Sequence, residues 1–388
     1  MKQVVRKKIA AANNVSTVKP KYTVVIDGTN LLKIAFVSKN LNNSKGECYG
    51  AVVNFLRMLG DILRKKDFDH CHCCWDSHGS GILRWKIYPE YKANRDKNYG
   101  AMNSESDYDK AVNDFVRRVI AHSKANKKKN GSSEDEEESF ERQKMIVQQI
   151  LEELCIRQYD IEDVEGDDII AYYVKNRKEN EKIVIVSSDK DLTQLISENV
   201  CIWNPRAKAF VTNKNSVDVM GITHENIVLE KIFCGDSSDN IYGIKGIGET
   251  SFLKYFPEVK TTKTTVGEII SKTEKLLTER KENKQKPLKA LENILNRVTD
   301  GSQGKDIYEI NKAIIDLSNP LLTKEARETL DNDFYAPIDT ENRKINNVYE
   351  IIKKYELSYL QNEENFGNIF SNFNRIQEAE RKYQRNNQ

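Results

Sequence analysis

The sequence predicts an α/β protein with a mostly parallel central sheet flanked by helices. Short apolar runs of strand length alternate with amphipathic runs of helical period, the pattern of strand–helix–strand crossovers. Three of the strand-like runs end on or beside an aspartate, at Asp27, Asp76 and Asp189. After Thr261 the strand-like runs stop, and a helical C-terminal region follows in which Lys, Glu and Asn dominate.

The first twenty residues are basic, contain no acid and read as a flexible tail. Tyr22–Ile26 is an apolar strand ending at Asp27-Gly28, and Ala51–Leu63 has the period of an amphipathic helix. Asp69–Trp75 reads as a second strand and Ile156–Tyr159 as a third, the latter leading into Glu165-Gly166-Asp167-Asp168 and a helix at Ile169–Lys175. Lys182–Ser187 is a strand running into Ser188-Asp189-Lys190-Asp191, and Val200–Trp203 is one more. Between Arg84 and Glu141 the pattern fails. Lys127-Lys128-Lys129 and the acidic run Glu134–Glu138 flank Gly131, and blocks of like charge are usually disordered. In the C-terminal region Val348, Ile351, Ile352 and Tyr355, then Phe366, Ile369, Phe370 and Phe373, recur at helical spacing. The expected division is a tail at 1–20, an α/β core at 21–205, a region at 206–260 around a glycine-rich turn, and helices at 261–388.

The composition restricts the class of protein. The chain has 388 residues, 31% of them charged, and a formal net charge of only +2. A near-neutral total is compatible with a polyanionic partner when many carboxylates offset the lysines, so the distribution of charge is more informative than its sum. Seven scattered cysteines form no disulfide framework, which places the chain in a reducing cytoplasm. No stretch approaches the ~18 apolar residues of a membrane span, so no membrane partner is expected.

The carboxylates carry the strongest signal. Asp27, Asp76, Asp189 and Asp191 lie at strand ends, Glu165, Asp167 and Asp168 lie just ahead of a helix, and Asp236 and Asp239 flank Ser237-Ser238. In an open α/β sheet the carboxyl edge of the strands is where ligands bind, and strand ends remote in sequence converge there. Singly, each acid reads as a helix cap or turn residue, Asp168 above all. Together they would repel strongly without a cation. Oxygen ligands without paired His or Cys favour Mg²⁺ or Mn²⁺, and two such ions can activate a water against a phosphodiester.

Two further segments suit phosphate. In Gly243-Ile244-Lys245-Gly246-Ile247-Gly248, ahead of Glu249-Thr250, the glycines permit a tight turn and close approach of backbone to an anion. A helix starting near Gly248 would point N–H groups at it, with Lys245 and Thr250 alongside. The alternative is a packing corner between helices. In Leu83–Arg95 the cations Arg84, Lys86, Lys92 and Arg95 interleave with aromatics such as Tyr91, a pattern that neutralises phosphate and stacks bases. The run His70-Cys71-His72-Cys73-Cys74, with His78, superficially resembles a zinc cluster. Consecutive strand side chains point to opposite faces, so it is read as a buried strand.

As a set, Val25–Gly28, Tyr88–Arg95, Glu165–Asp168, Ser187–Asp191 and Gly235–Asn240 resemble the 5′-nuclease superfamily of flap endonucleases, polymerase-linked 5′-nucleases and phage 5′-exonucleases and ribonucleases H. The resemblance runs from about Tyr22 to Phe256. It implies a PIN-like 5′-nuclease fold in which Asp27, Asp76, Glu165, Asp167 and Asp189 hold one Mg²⁺ and Asp191, Asp236 and Asp239 a second, Asp168 being a further shared acid. It also implies that Lys92 and Arg95 act near the scissile phosphate, and that an arch over about 86–140 passes a 5′ single strand. Gly243–Gly248 would be a helix–three-turn–helix hairpin that can hold K⁺. The implied substrates are branched or nicked DNA and RNA–DNA duplexes with 5′ single-stranded ends. A single-strand-binding protein or sliding clamp is a candidate partner of the C-terminal helices. Tyr242, where proline is common in the family, and the charged arch insertion depart from the pattern. The competing readings are a junction-binding accessory without catalysis and a PIN-type ribonuclease.

Overall fold

The computed structural model describes residues 21–36, 41–77, 79–95 and 136–385. The expected tail, His78, most of the arch and the side chain of Arg95 lie outside the described residues. Strand β1 (Lys21–Asp27) is followed by α1 (Gly28–Ala35) and α2 (Gly50–Leu63), then β2 (His70–Cys74), the short α3 (Ile82–Ile87) and α4 (Glu136–Glu153). Next come β3 (Arg157–Tyr159), α5 (Gly166–Lys175), β4 (Glu181–Val186), β5 (Val200–Asn204) and β6 (Ala209–Val211). The sheet order is β3-β2-β1-β4-β5-β6, parallel except for β6, which pairs antiparallel with β5.

The connection order places the site. From β1 the chain moves outward through β2 to β3, then crosses back to β4 on the other side of β1. It reverses at the carboxyl end of β1, where α/β sheets open a binding crevice. Ile26 is in register with Cys73 and with Val186, so the residues after β1, β2 and β4 emerge at one edge. The entry to α1 is tight. A Cβ on Gly28 would lie 2.7 Å from the Trp75 ring and 2.8 Å from Cys73 Sγ, so only glycine fits between Asp27 and its helix without displacing them.

Both faces of the sheet are covered, as parallel sheets require. On one face Val24, Ile26, Cys71 and Cys73 pack with α2 and α4. On the other, Val25, Cys74, Ile183 and Ile185 pack with α5. The zinc-like run is a strand, as read: all five residues are buried, His72 Nδ1 is 3.0 Å from the Tyr159 hydroxyl and His70 Nδ1 is 2.8 Å from Glu380 Oε1. All seven cysteines are free thiols. No described helix is long and apolar enough to cross a membrane.

Beyond the sheet run α6 (Ser216–Met220), α7 (Ile227–Cys234), the two-residue strands β7 (Gly235–Asp236) and β8 (Ile241–Tyr242), and α8 (Glu249–Tyr255). The helical region comprises α9 (Val266–Glu282), α10 (Lys289–Asn296), α11 (Ile307–Ile315), α12 (Lys324–Asp333), α13 (Ile345–Lys354), α14 (Ser358–Gln361), α15 (Glu363–Phe370) and α16 (Asn374–Arg385). It is spread over several places, Ile314 and Ile315 of α11 packing with Tyr88, Tyr91 and Ile241. Helices α9 and α10 share a core with α7 and α8; Leu317, Ala326, Leu330 and Phe334 cover the α5 face; and Val348, Ile352, Ile369, Phe370 and Phe373 enter the core of α2 and α4. The apolar stripe read in α13 and α15 is therefore core of the α/β body. The acidic run behaves differently from the expectation where it is described, because Glu136–Glu138 form the first turn of α4. Negative charge is favoured at a helix N-terminus, which resolves the repulsion that suggested disorder.

Candidate active site

At the carboxyl edge lies a cleft of about 510 Å³ lined by Asp27, Asp76, Glu165, Asp167, Asp189, Asp191, Asp236 and Asp239. Eight of the nine acids singled out in the sequence thus converge. Asp168 does not line the cleft. It is 1% exposed, takes both Arg84 Nη1 (2.5 Å) and Nη2 (3.3 Å), and accepts the Leu321 N–H at 2.8 Å. It is a positioning group rather than a ligand, and not the helix cap either, since α5 begins after Glu165.

Each acid is held by the element that delivers it. Asp27 accepts the Asn30 N–H at 2.9 Å and the Ser187 hydroxyl at 2.8 Å, which ties the ends of β1 and β4 together. Asp76 Oδ1 accepts the Gly166 N–H at 2.9 Å, so the second and third motifs interlock. Asp189 accepts the Asp191 N–H at 2.8 Å. Asp236 accepts both the N–H (2.8 Å) and the hydroxyl (2.7 Å) of Ser238.

The cations sort the acids into two groups. Glu165 pairs with Arg84 at 2.7 Å and Lys92 at 2.6 Å; burial opposes its ionisation, but Arg84 and then Lys92 outweigh it and bring the pKa below the usual carboxylate value. Lys231 bridges Asp191 and Asp236. Burial pushes Asp191 up to about 6 in spite of Lys231, whereas for Asp236 Lys231 and Ser238 outweigh burial and hold the pKa at about 2. Asp27 and Asp167 have no such partner among the described residues. Burial and then Asp76 drive Asp27 up to about 7, and burial, Asp27 and Asp189 raise Asp167 well above its usual value. Among the described residues nine carboxylates, counting Glu249, face the five cations Lys33, Arg84, Lys92, Lys190 and Lys231 in this cleft, so their charge is negative on balance. Among the described residues no three His, Cys, Asp or Glu side chains are drawn into a ready-made cation cage.

This imbalance has a measurable consequence. Because folding raises the pKa of Asp27 from 3.8 to about 7, its stabilising contribution is complete below about pH 4 and is lost as pH rises through 7. Asp191 acts in the same direction up to about 6, while the Asp236 contribution changes only towards pH 2. In chelating buffer the melting temperature should fall between pH 5 and pH 8, roughly the window set by these groups. Asp27→Asn, which keeps the Asn30 contact, should flatten the fall; equal slopes for both proteins would contradict it.

The basic segment is more deeply integrated than its composition suggests. Arg84 is 5% exposed and its Nε donates to the Ile314 carbonyl at 2.9 Å, so it is a buried brace of Glu165 and Asp168 in the cleft wall. Tyr91 is 2% exposed and its hydroxyl donates to Glu165 and Asp239, which removes it from base stacking. Lys86 is exposed. Lys92 reaches into the cleft with a left-handed backbone, φ +56°. Arg95 ends a short 3₁₀ turn, Ala93–Arg95. This segment is stitched to the Asp236–Asp239 loop: Lys92 N–H donates to the Asp239 carbonyl (2.8 Å), Asn94 to that of Ser237 (2.9 Å), and Asn240 to that of Glu90 (2.8 Å). The sequence reading missed Lys231 and this stitch. The position of Lys231 on the helix leading into Asp236 was its one available signal.

The glycine turn forms as expected, with Gly246 at φ +84° and α8 starting after Gly248. A Cβ on Gly243 would lie 2.3 Å from the Cys234 carbonyl carbon, so this glycine serves packing. The amides are less free than anticipated. Gly248 N–H donates to Ser251 Oγ (2.9 Å) and Ile247 N–H to the Ile244 carbonyl (2.9 Å). Lys245 pairs with Asp300 at 2.6 Å, and Thr250 is exposed on α8.

A parallel sheet whose switch point opens into a carboxylate cleft defines an α/β protein suited to an anion bridged by cations. The chain belongs to the 5′-3′ exonuclease family: its residues 22–231 match the family's N-terminal resolvase-like domain. It is 27% identical over 261 residues to DNA polymerase I of Bacillus subtilis (strain 168), covering 65% of this chain and 25% of that one. To a 5′-3′ exonuclease of Aquifex aeolicus (strain VF5) it is 27% identical over 230 residues, covering 59% of this chain and 66% of that one. The chain therefore spans about a quarter of the polymerase relative. In fold it is similar to T5 5′-exonuclease, a structure described with bound zinc, at a TM-score of 0.55 and 18% identity over 87% of this chain and 100% of that one.

Proposed function

We propose that this protein is a divalent-metal-dependent 5′-nuclease, acting as 5′-3′ exonuclease and flap endonuclease on branched or nicked DNA and RNA–DNA duplexes, in the manner of primer or flap removal. The observation that carries this reading is the convergence of eight carboxylates, from motifs scattered between residues 27 and 239, on one cleft. The donor set is all oxygen and suits Mg²⁺, with Mn²⁺ as substitute. Asp27, Asp76, Glu165, Asp167 and Asp189 would hold one ion, and Asp191, Asp236 and Asp239 a second. The raised pKa values of Asp27 and Asp167 fit this role, since carboxyls crowded in a buried site ionise fully only beside added positive charge. When bound, the ions supply Lewis acidity to the phosphodiester and to the attacking water.

The chain's own residues do the positioning. Arg84 fixes Glu165 and Asp168, Lys231 spaces Asp191 from Asp236, and Lys92 presents its ammonium where the scissile phosphate would enter. Arg95 would assist it from the start of the arch. The glycine turn, with Lys245 and Thr250, would hold duplex backbone remote from the cut, and carbonyls of the turn would take a K⁺ ion. Gly246→Val puts a β-branched residue at φ +84°, which it strongly disfavours. Duplex affinity should fall several-fold without any new sequence preference, because only backbone is read. Wild-type affinity in this variant would reduce the turn to a packing corner.

The substrate class is tested with flap, nicked and RNA–DNA hybrid substrates labelled at either end. Short products released from the 5′ side of the junction are expected. Release from 3′ ends, or cutting confined to single-stranded RNA, would overturn the reading.

A further inference from the structure

The helix pair after the glycine turn carries charge that the cleft does not use. Helices α9 and α10 bury Ile269, Leu291 and Ile294 in the core they share with α7 and α8. Helix α10 seats directly on the glycine turn: a Cβ on Gly246 would lie 3.5 Å from that of Ala290, and Asn293 Nδ2 donates to the Lys245 carbonyl at 2.8 Å. The turn joining α9 to α10, residues 280–289, holds Arg280, Lys281, Lys284, Lys286 and Lys289 against Glu282 as its only acid.

This turn is built rather than loose. The Arg280 guanidinium donates twice to the Lys286 carbonyl, at 3.0 and 2.9 Å, and Gln285 N–H donates to the Arg280 carbonyl at 2.8 Å. Lys284 takes the left-handed conformation, φ +54°, that closes the turn. Lys281, Lys284 and Lys286 are exposed and make no ion pair among the described residues. The contrast with the glycine turn is informative. There the one cation, Lys245, is already paired with Asp300, and the Gly248 amide is engaged by Ser251. Three exposed lysines without an ion pair among the described residues sit one helix further on.

We propose that residues 280–289 are a second duplex-gripping element, a preformed basic turn that binds backbone phosphates of the duplex arm beyond the glycine turn. The proposal rests on the nuclease reading and states where the uncut duplex lies. Regularly spaced phosphates are the partner that unpaired lysines on a rigid turn complement without reading sequence. Lys284 is six residues from Ala290, a reach of at most about 21 Å, or about six base pairs at ~3.4 Å each. The basic turn therefore lies within about six base pairs of the glycine turn, and only an arm that continues past the glycine turn should engage it.

The test is fluorescence anisotropy in chelating buffer, where no cutting interferes, with flaps bearing duplex arms of about 6 and about 18 base pairs. Wild type is compared with the triple variant Lys281→Gln, Lys284→Gln, Lys286→Gln, whose melting temperature is measured alongside. The variant should lose about tenfold in affinity for the long arm and little for the short one. The slope of log Kd against log salt on the long arm should drop by about two to three, one contact per lost lysine. Wild-type affinity and slope on the long arm would overturn the proposal, as would an equal loss on both arms. Cutting of the short-arm flap by the wild-type protein tests the nuclease reading separately, so failure of one leaves the other standing.

Discussion

Asp76→Asn and Asp189→Asn should each reduce cleavage by roughly a thousandfold or more while leaving the protein folded, the magnitude expected when charge aimed at a phosphoryl transition state is lost. The structure explains why the substitution isolates charge. Asp76 Oδ1 accepts the Gly166 N–H and Asp189 Oδ1 the Asp191 N–H, and an asparagine amide oxygen can make either contact. Both acids face a cleft with excess negative charge, so the metal-free variants should melt no lower than wild type. Single-turnover cleavage, flap affinity and melting temperature are the three measurements. Undiminished turnover in both variants would remove these carboxylates from the chemistry.

Lys92→Ala should lower the single-turnover rate about a hundredfold, ~2–3 kcal/mol, with a smaller change in affinity, because a group aimed at developing charge contributes more to the transition state than to the ground state. The substitution adds no backbone strain, since both residues carry a Cβ at the same φ of +56°. Lys92 also lies 2.6 Å from Glu165 and helps keep it ionised. The two roles separate by pH. Losing Lys92 raises the Glu165 pKa, so if that were its whole effect the deficit would be largest at acid pH and vanish as pH rises. A direct role leaves a hundredfold deficit at every pH. A rate within a few-fold of wild type throughout would make Lys92 an ordinary surface cation.

Much of this site could be read from the sequence because its acids are tied to strand ends. A short β-branched apolar run such as Val24–Ile26 favours a buried strand, and in a parallel sheet the carboxyl ends of β1, β2 and β4 share one edge whatever the details of packing. What escaped depends on distances that only tertiary structure sets. Arg84 and Tyr91 sit among other basic and aromatic residues and read as surface groups, yet Ile314 and Glu165, far along the chain, bury them. Asp168 is adjacent to Asp167 but points to Leu321, because neighbouring residues on a helix face different ways. Strand β6 is three residues long and its apolar period is too short to register. The C-terminal helices showed their apolar faces but not the surface those faces cover, and α13 and α15 proved to complete the core over α2 and α4.

The most direct test of the central claim, that the acid cleft cuts phosphodiesters with the help of divalent ions, is single-turnover cleavage of a 5′-labelled flap by the full chain in chelator and then with Mg²⁺ added back. No product in chelator and full cutting on addition of Mg²⁺, abolished by Asp189→Asn, is the result this account predicts. Cleavage at the same rate in chelator, or Mg²⁺-dependent cutting that survives Asp189→Asn, would contradict it.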